Sequence, residues 1–355
     1  MNLRLKLMLP RILGTLLLLV VAGCASVSPQ NIKTDRMDYG QVVAESWKRQ
    51  TLLNVVRLRY ADAPVFLDVS SIINSYSVAG KANGSVTMPS SINPDVTLLG
   101  GEGSWSNTPT VTYQPLMGDR FTKSLLQPVP PASVFQLMQG GWPAELVLRT
   151  VVTSINGLRN SLGGAAGDAS FDQLVGALTR TQLSGGLSYR VEARKEGATV
   201  IVVMRRGGSG AELSEDSRLV QQLLGLEGDS GEFEVAYGLV PKTSREVAML
   251  SRSMLEILLQ LGYGIELPDG HAKEGRAMPG RLQAGDVAAA PLVRIHSGLQ
   301  APDDAYAAIP YKGHWYWIDD TDIASKRVFT FLLILFSLAE TGQSYSAPVV
   351  TVPSR

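Results

Sequence analysis

Cysteine is almost missing from these 355 residues: there is one, Cys24. A single thiol cannot close a disulfide within the chain. Nor can it build a thiolate metal centre, which takes several cysteine or histidine ligands. Histidine is scarce as well. His271, His296 and His314 are the full set, and none stands in an HExxH or other close metal-binding spacing. No metal, cofactor or metal-dependent reaction is therefore expected. Charge is low and balanced, at 18% of residues with 32 basic against 32 acidic side chains. The one-sided basic field that holds nucleic acid is absent. The apolar run Val328 to Phe336 is broken by Thr330 and falls far short of the roughly 20 residues that span a bilayer; it reads as a buried core helix. No internal repeat of convincing period is present. What remains is ample apolar material, 45% of the chain, which suits a real core rather than a disordered tail. A chain of this length can fold on that core without cross-links.

The N-terminal segment has the layout of a targeting signal. Arg4, Lys6 and Arg11 form a basic stretch, Ile12 to Val21 is nearly all apolar, and Ala22 and Gly23 precede Cys24. The apolar stretch is too short for a spanning helix. Val21-Ala22-Gly23-Cys24 resembles the lipobox of bacterial lipoproteins. That resemblance implies that signal peptidase II removes residues 1–23, that Cys24 carries a diacylglyceryl thioether, and that its new amino group is acylated, with palmitate among the expected chains. Two or more chains hold a protein firmly where one does not, at about 0.8 kcal/mol per buried methylene. Loss of residues 1–23 leaves 29 basic against 32 acidic side chains, a net charge of about −3. Ala25, not Asp, follows the cysteine. In the lipoprotein sorting pattern this implies the outer membrane, with the body facing the periplasm.

Behind the signal the chain reads as α+β: mixed short antiparallel sheets with packed helices and no transmembrane helix in the mature chain. Residues 24–34 form a polar, lipidated tether. Residues 35–164 hold an N-terminal helix, a β-rich segment of low charge and further helices, and residues 165–355 form a C-terminal α+β domain. Tyr39 to Tyr60 is helical, with Val43, Trp47, Val55 and Leu58 near one face and Pro64 beyond its end. Residues 65–116 change character. They are rich in β-branched residues and partly alternating, and their only charges are Asp68, Lys81, Asp95 and Glu102. Strands are expected there. Pro130-Pro131 precedes a short helix stopped by Gly140-Gly141. Pro143 suits the first turn of the next, whose face is Val147, Val151, Ile155 and Leu158. Ser170 is an N-cap candidate for "FDQLVGALTRTQL".

Leu187 to Met204 reads as a β-hairpin turning at Lys195-Glu196-Gly197. Ser214 caps a helix to Leu224, "FEVAYGLV" is a strand, and Ser244 caps a long helix to about Leu261. Residues 267–288 read as a surface loop. Strands follow at "APLVRIHSG", "AYAAIPY" and "HWYWID", then a helix capped by Asp320 or Thr321 and ended by Gly342, then a last strand at "APVVTVP". The strands cluster rather than alternate with helices, so a doubly wound parallel sheet is not expected.

A search for reactive constellations finds decoys. Gly228-Asp229-Ser230-Gly231 resembles the nucleophile motif of trypsin-like proteases, but Glu232 replaces the last glycine and all three histidines lie downstream, whereas that family's lies upstream. It reads as a turn. "RRGGSGAE" lacks the Lys-Ser/Thr of a phosphate loop. Asp319, Asp320 and Asp322 stand at a helix start, where carboxylates cap amides. Trp315 and Trp317 share one strand face and Tyr316 takes the other, which suits core packing or a platform for carbohydrate or peptide. Arg57 and Arg59 do not share a helix face closely enough for an anion clamp. No catalytic, cofactor or metal residue is assigned; Cys24 is the one site, for lipidation.

The expected function is therefore a lipid-anchored, non-enzymatic structural or assembly partner at the outer membrane. It would be held to the membrane by its anchor and associate with another envelope protein or with further copies of itself. "NVVRLRYADAPVFLDV", "PTVTYQPLMGDRF" and "IDDTDIASKR" resemble stretches in a family of uncharacterised proteobacterial outer-membrane lipoproteins, a resemblance that implies no known activity. One alternative is a subunit of an oligomeric outer-membrane pore using β-hairpins from residues 65–116. A spanning strand needs about 9–11 alternating residues. Residues 97–113 come close, but Glu102 and Pro109 interrupt them and 65–78 slips phase near Ser71. The other alternative is a periplasmic hydrolase.

Overall fold

A computed structural model of the chain describes residues 29–86, 97–194, 197–204, 214–227, 231–279 and 287–340. The chain divides into two units, Met1–Gln50 and Thr51–Arg355. In the first, the described residues belong to helix α1 (Pro29–Arg59). Glu45 reaches Lys48 at 2.5 Å and Arg49 at 3.2 Å, the three- and four-residue spacings that meet on one helical face.

The second unit is α+β, with helices and three sheets of two, three and six strands. The end of α1 enters its core through Leu52, Val55 and Val56, all fully buried. Two long strands follow, β1 (Leu67–Val86) and β2 (Thr97–Pro115), paired antiparallel. Short helix α2 (Gly118–Phe121) runs into a π turn, Thr122–Leu126. Then come α3 (Pro131–Gln139), α4 (Ala144–Val151), β3 (Val152–Ile155), β4 (Leu158–Arg159) and α5 (Ala169–Leu183). The hairpin strands β5 (Leu187–Arg194) and β6 (Gly197–Met204) precede α6 (Glu215–Leu224), β7 (Glu232–Tyr237), β8 (Glu246–Ser251) and α7 (Met254–Gly262).

Six of these strands make one sheet in the order β4-β3-β8-β7-β6-β5. Its β7–β8 pair is parallel and the others antiparallel. Phe135 of α3 packs on Tyr189 of β5 with ring centroids 4.7 Å apart. The sheet takes β3 and β4 from one side of residue 165 and its other four strands from the other. The expected division between 35–164 and 165–355 therefore runs through a single sheet.

A smaller sheet pairs β10 (Ala307–Tyr311), β11 (His314–Ile318) and β9 (His296–Gly298), in that order. Alternation holds there: Tyr316 is fully buried while Trp315 is 36% exposed. A short helix, α8 (Asp269–Lys273), lies in the segment expected to be loop. The last described helix, α9 (Ile323–Glu340), buries Phe329, Phe331, Leu332 and Phe336. Among the described residues no helix is long and apolar enough to cross a membrane.

Local expectations differ from the structure at four further places. Helix α4 stops at Val151, so Ile155 and Leu158 leave the expected helical face and pair across a β3–β4 turn. The β-branched run Val151-Val152-Thr153 favours strand. Asn156-Gly157, both at positive φ (46° and 82°), supplies the two-residue turn that hairpins prefer. The α4 carbonyls are taken by side chains. Arg252 donates to the carbonyls of Arg149 (2.9 Å), Thr150 (3.0 Å) and Ser161 (2.5 Å), and Asn160 to those of Leu148, Arg149 and Val152. A cation at a helix C-terminus meets the negative end of the dipole.

Residues 246–251 form central strand β8 rather than the start of a helix capped by Ser244. Ser253 caps the shortened α7, its hydroxyl accepting from the Glu256 amide. Asp168, not Ser170, precedes α5; its carboxylate accepts from the Arg159 amide and guanidinium. Asp322, not Asp320 or Thr321, holds the start of α9 by accepting from the Ser325 amide and hydroxyl. The cap at Ser214 is as expected, its hydroxyl accepting from Ser217 N–H at 3.1 Å. Cys24, "RRGGSG", residues 195–196 and 228–230, Gly342 and "APVVTVP" lie outside the described residues.

Candidate functional site

The 67–115 hairpin is the part of the molecule with the least partner structure of its own. Among the described strands, β1 pairs with β2 alone, and β2 with β1 alone. Neither strand packs extensively on any other described element. Register decides what each face carries. Ser70 is an extra residue between the pairs Val69–Tyr113 and Ser71–Thr112, a β-bulge. It sits where the alternation slips in the linear sequence, and it restores the phase.

With the bulge counted, one face carries Leu67, Val69, Ile72, Asn74, Tyr76, Val78, Gly80, Ala82, Gly84 and Val86. Opposite them in register stand Pro115, Tyr113, Val111, Pro109, Asn107, Trp105, Gly103, Gly101, Leu99 and Thr97. That face has no charged residue. The other face carries Ser71, Ser75, Ser77, Asn83 and Ser85 against Thr112, Thr108, Ser106, Gly100 and Leu98, with Ile73, Ala79 and Leu98 its apolar members. All three charges of the two strands, Asp68, Lys81 and Glu102, fall on this second face, and Lys81 stands directly opposite Glu102. Glu102 therefore does not interrupt the apolar face. Pro109 lies on it opposite Asn74; a proline is tolerated in a two-stranded ribbon with its missing N–H on the outer side.

The root of the hairpin shows which face the body covers. Phe66 and Leu116 belong to the second face, linked by the Leu116 amide donating to the Phe66 carbonyl at 2.9 Å. Leu116 is buried, and the Phe66 ring packs on Phe336 of α9 at 5.7 Å. The first face continues through Val65, Leu67 and Met117, which stay 47%, 39% and 70% exposed.

The residues best suited to chemistry come together elsewhere and are enclosed. Tyr60 follows α1, and its hydroxyl lies 2.6 Å from both His271 Nδ1 on α8 and the Tyr316 hydroxyl on β11. The His271 and His314 rings meet edge to face at 4.8 Å. Tyr60, Tyr316 and His271 are all buried. One proton arrangement satisfies the chain: Tyr316 donates to Tyr60, which donates to a neutral His271 Nδ1. Protonating His271 would make its Nδ1 a donor to Tyr60 and leave one of the two tyrosine hydroxyl protons without an acceptor in the chain. Burial, with the nearby His314, Arg276 and Lys312 charges, holds His271 below the usual histidine range. Burial and the Tyr60 bond push the Tyr316 hydroxyl well up.

Beside this chain, Asp62 accepts from the Tyr311 hydroxyl and from Lys312 Nζ at 2.8 Å. These bonds, Lys312 first, and the Arg57 charge hold its carboxyl below the usual range. The cluster therefore ties the end of α1 to α8 and to the β10–β11 turn. Among the described residues no three His, Cys, Asp or Glu side chains converge as metal ligands.

The other flagged residues are dispersed. His296 Nδ1 pairs with Glu266 at 2.9 Å beside the Trp317 ring. Asp319 accepts from the Thr321 amide and hydroxyl, and Asp320 pairs with Lys326 at 2.6 Å. The three aspartates thus serve the start of α9 rather than one shared site. The Arg59 guanidinium stacks over Tyr263 at 4.8 Å, apart from Asp62 and Arg57. A cleft of about 630 Å³ is lined by Arg149, Asn160, Asp172, Pro291 and Arg327 among others. Arg149 is neutralised there by Asp172 at 2.7 Å and Glu145 at 3.1 Å. Linear reading found the strands of the hairpin, the alternation around Trp105, Val111 and Tyr113 and the slip near Ser71, but not that the two strands share one charge-free face, because the bulge and the pairing partner are not local. It missed the Tyr60–His271–Tyr316 chain for the same reason: its members are more than 200 positions apart.

No protein-family description, no curated protein and no solved structure matches this chain.

Proposed function

We propose that this chain is a lipid-anchored envelope protein, held by acylated Cys24 at the periplasmic face of the outer membrane, and that it works as a non-enzymatic assembly partner. The observation that carries the reading is the hairpin of β1 and β2: 20 and 19 residues of strand, with no further strand on either side among those described. Unpaired sheet edges are templates for pairing with another chain, and proteins that do not use them cover or charge them. A firmly anchored protein presenting such edges is suited to assembly at a membrane face. The lipobox at 21–24 supplies the anchor in this reading. The enclosed Tyr60–His271–Tyr316 chain is assigned to holding the body together.

Two measurements in cells test this. The wild-type protein should fractionate with outer membranes and Cys24→Ser should not. Photocrosslinkers placed along β1 and β2 should join the chain to an envelope protein or to another copy of itself. Membrane association that survives Cys24→Ser after normal processing defeats the anchor, and crosslinkers that capture nothing defeat the partner role.

A further inference from the structure

We propose that the apolar face of the β1–β2 hairpin lies against the hydrocarbon of the outer membrane, and that its edges pair with the hairpins of further copies of this chain to close a shared β-barrel lined by the Ser/Thr-rich face. This rests on the envelope-anchored reading above and names the partner: the chain itself.

An isolated two-stranded hairpin is marginally stable in water, so strands of 20 and 19 residues need a cover. At the root the body supplies it on one side only: it packs against Phe66 and Leu116, on the polar face's side, and leaves Val65, Leu67 and Met117 exposed on the other. The face that continues those exposed residues in register is the one without a charge. The first face is mostly apolar, with Asn74, Asn107 and Thr97 its polar members, and the second is mostly polar; alternation of this kind at period two is the pattern of a strand with lipid on one side and water on the other.

Length agrees. At about 3.3 Å per residue the longer strand reaches roughly 65 Å, and a tilt of about 45° still leaves more than the hydrocarbon thickness of about 30 Å. The charges agree as well. Asp68, Lys81 and Glu102 all fall on the face that would meet water, where a charge costs little.

The edges decide the partner. Lipid cannot satisfy backbone N–H and C=O groups, so a hairpin with open edges cannot enter hydrocarbon alone. Copies of the same hairpin offer matching edges and the same two faces, and a ring of them leaves no edge at all. With two strands from each copy, the smallest closed barrels of about eight strands require about four copies. On the lumen side, Lys81 and Glu102 offset each other in register and Asp68 is left over, giving a ring of negative charge and a preference for cations.

The full-length lipidated protein, extracted in mild detergent and sized by light scattering, should contain about four copies or more. In phosphatidylethanolamine–phosphatidylglycerol vesicles it should conduct ions with cation preference, and Asp68→Lys should shift that preference toward anions. Adjacent positions then separate the faces. Val78→Asp or Trp105→Asp should lower conductance by more than about tenfold, while Ser77→Asp and Ser106→Asp, one residue away on the other face, should keep both oligomer and conductance. Circular dichroism melting of each variant checks that the body remains folded. A monomer or dimer in detergent, silent vesicles from folded wild-type protein, or equal effects on the two faces would each overturn the barrel. If any of these is seen while the chain still needs Cys24 for membrane attachment and still crosslinks to a different envelope protein, the assembly reading stands and the barrel alone is lost.

Discussion

Two hairpins in this chain treat their open edges in opposite ways. The β5–β6 hairpin belongs to the six-stranded sheet, where β7 covers one side and β5 is the outermost strand. That edge is guarded. Arg190 pairs with Glu192 at 2.8 Å and reaches Glu232 at 3.4 Å, and charged side chains on an outer strand discourage pairing with other chains. The β1–β2 hairpin has two outer edges and more than twice the length. The charges of its two strands are three, gathered on one face, and Ser, Thr and Gly fill positions where β5 places Arg and Glu. The same chain sets charges on its short outer strand, while on the longer pair only Pro109 interrupts an edge. In the proposed reading the rest of the β1 and β2 edges serve for pairing.

The comparison can be broken most sharply by removal. Excising residues 71–112 and closing the gap with an Asn-Gly turn should abolish self-association and membrane conductance, yet shift the melting temperature of the body by only a few degrees, a shift of about 1 kcal/mol or less. A body that unfolds without the hairpin would mean the two regions are not independent in stability.

The next effect is on the body. Arg252→Ala removes donors from three carbonyls, and because Arg252 is fully buried no water replaces them readily. Urea unfolding should show a loss of about 3 kcal/mol, with detergent oligomers unchanged at temperatures where the body is still folded. Burial already pulls the Arg252 guanidinium down to about 10, so it stays charged at neutral pH, and Arg252→Lys should recover only part of the loss.

A smaller effect separates the regions by pH. His271 titrates below its ordinary value in the folded state. It then holds fewer protons folded than unfolded, so its contribution is full above the unfolded value near about 6.5 and is lost as the pH falls below it, at no more than about 1.4 kcal/mol per pH unit. Body stability measured by urea should fall between pH 7 and 5, and His271→Gln should flatten that slope. The hairpin contains no histidine, so oligomer size should not follow the same curve.

The smallest effect tests the guarded edge. Replacing Arg190 and Glu192 together with Val should change folding stability by only about 0.5 kcal/mol, since exposed ion pairs contribute little. It should nevertheless make the detergent-free body self-associate, seen as a rise in sedimentation coefficient with concentration. A variant that stays monomeric would remove the reason for contrasting the two edges.

Much of this architecture was legible in the linear sequence wherever the signal was local. The β5–β6 alternation, the Ser214 cap, the placing of Tyr316 on the strand face opposite Trp315 and Trp317 and the apolar last described helix all follow from neighbours a few residues apart. Misreadings came where two periods were both compatible with the residues. Val147, Val151, Ile155 and Leu158 fit a helical face, and only the β-branched run Val151-Val152-Thr153 and the Asn156-Gly157 turn argue for strands. Residues 246–251 look helical until β7 and β3 are placed beside them. Arg252 and the Tyr60–His271–Tyr316 chain had no local mark at all.

By itself, then, the sequence determined that a single cysteine leaves no disulfide within the chain and no metal centre built on several thiolates, and it determined the β character of the described strands in residues 65–116, because each depends on residue type and near spacing. Tertiary structure decided the rest. Pairing β1 with β2 placed the bulge at Ser70, and with it put every charge of the two strands on one face. Packing Phe66 and Leu116 against the body decided which face stays exposed at the root. Face and edge are properties of paired strands, and no single strand carries them.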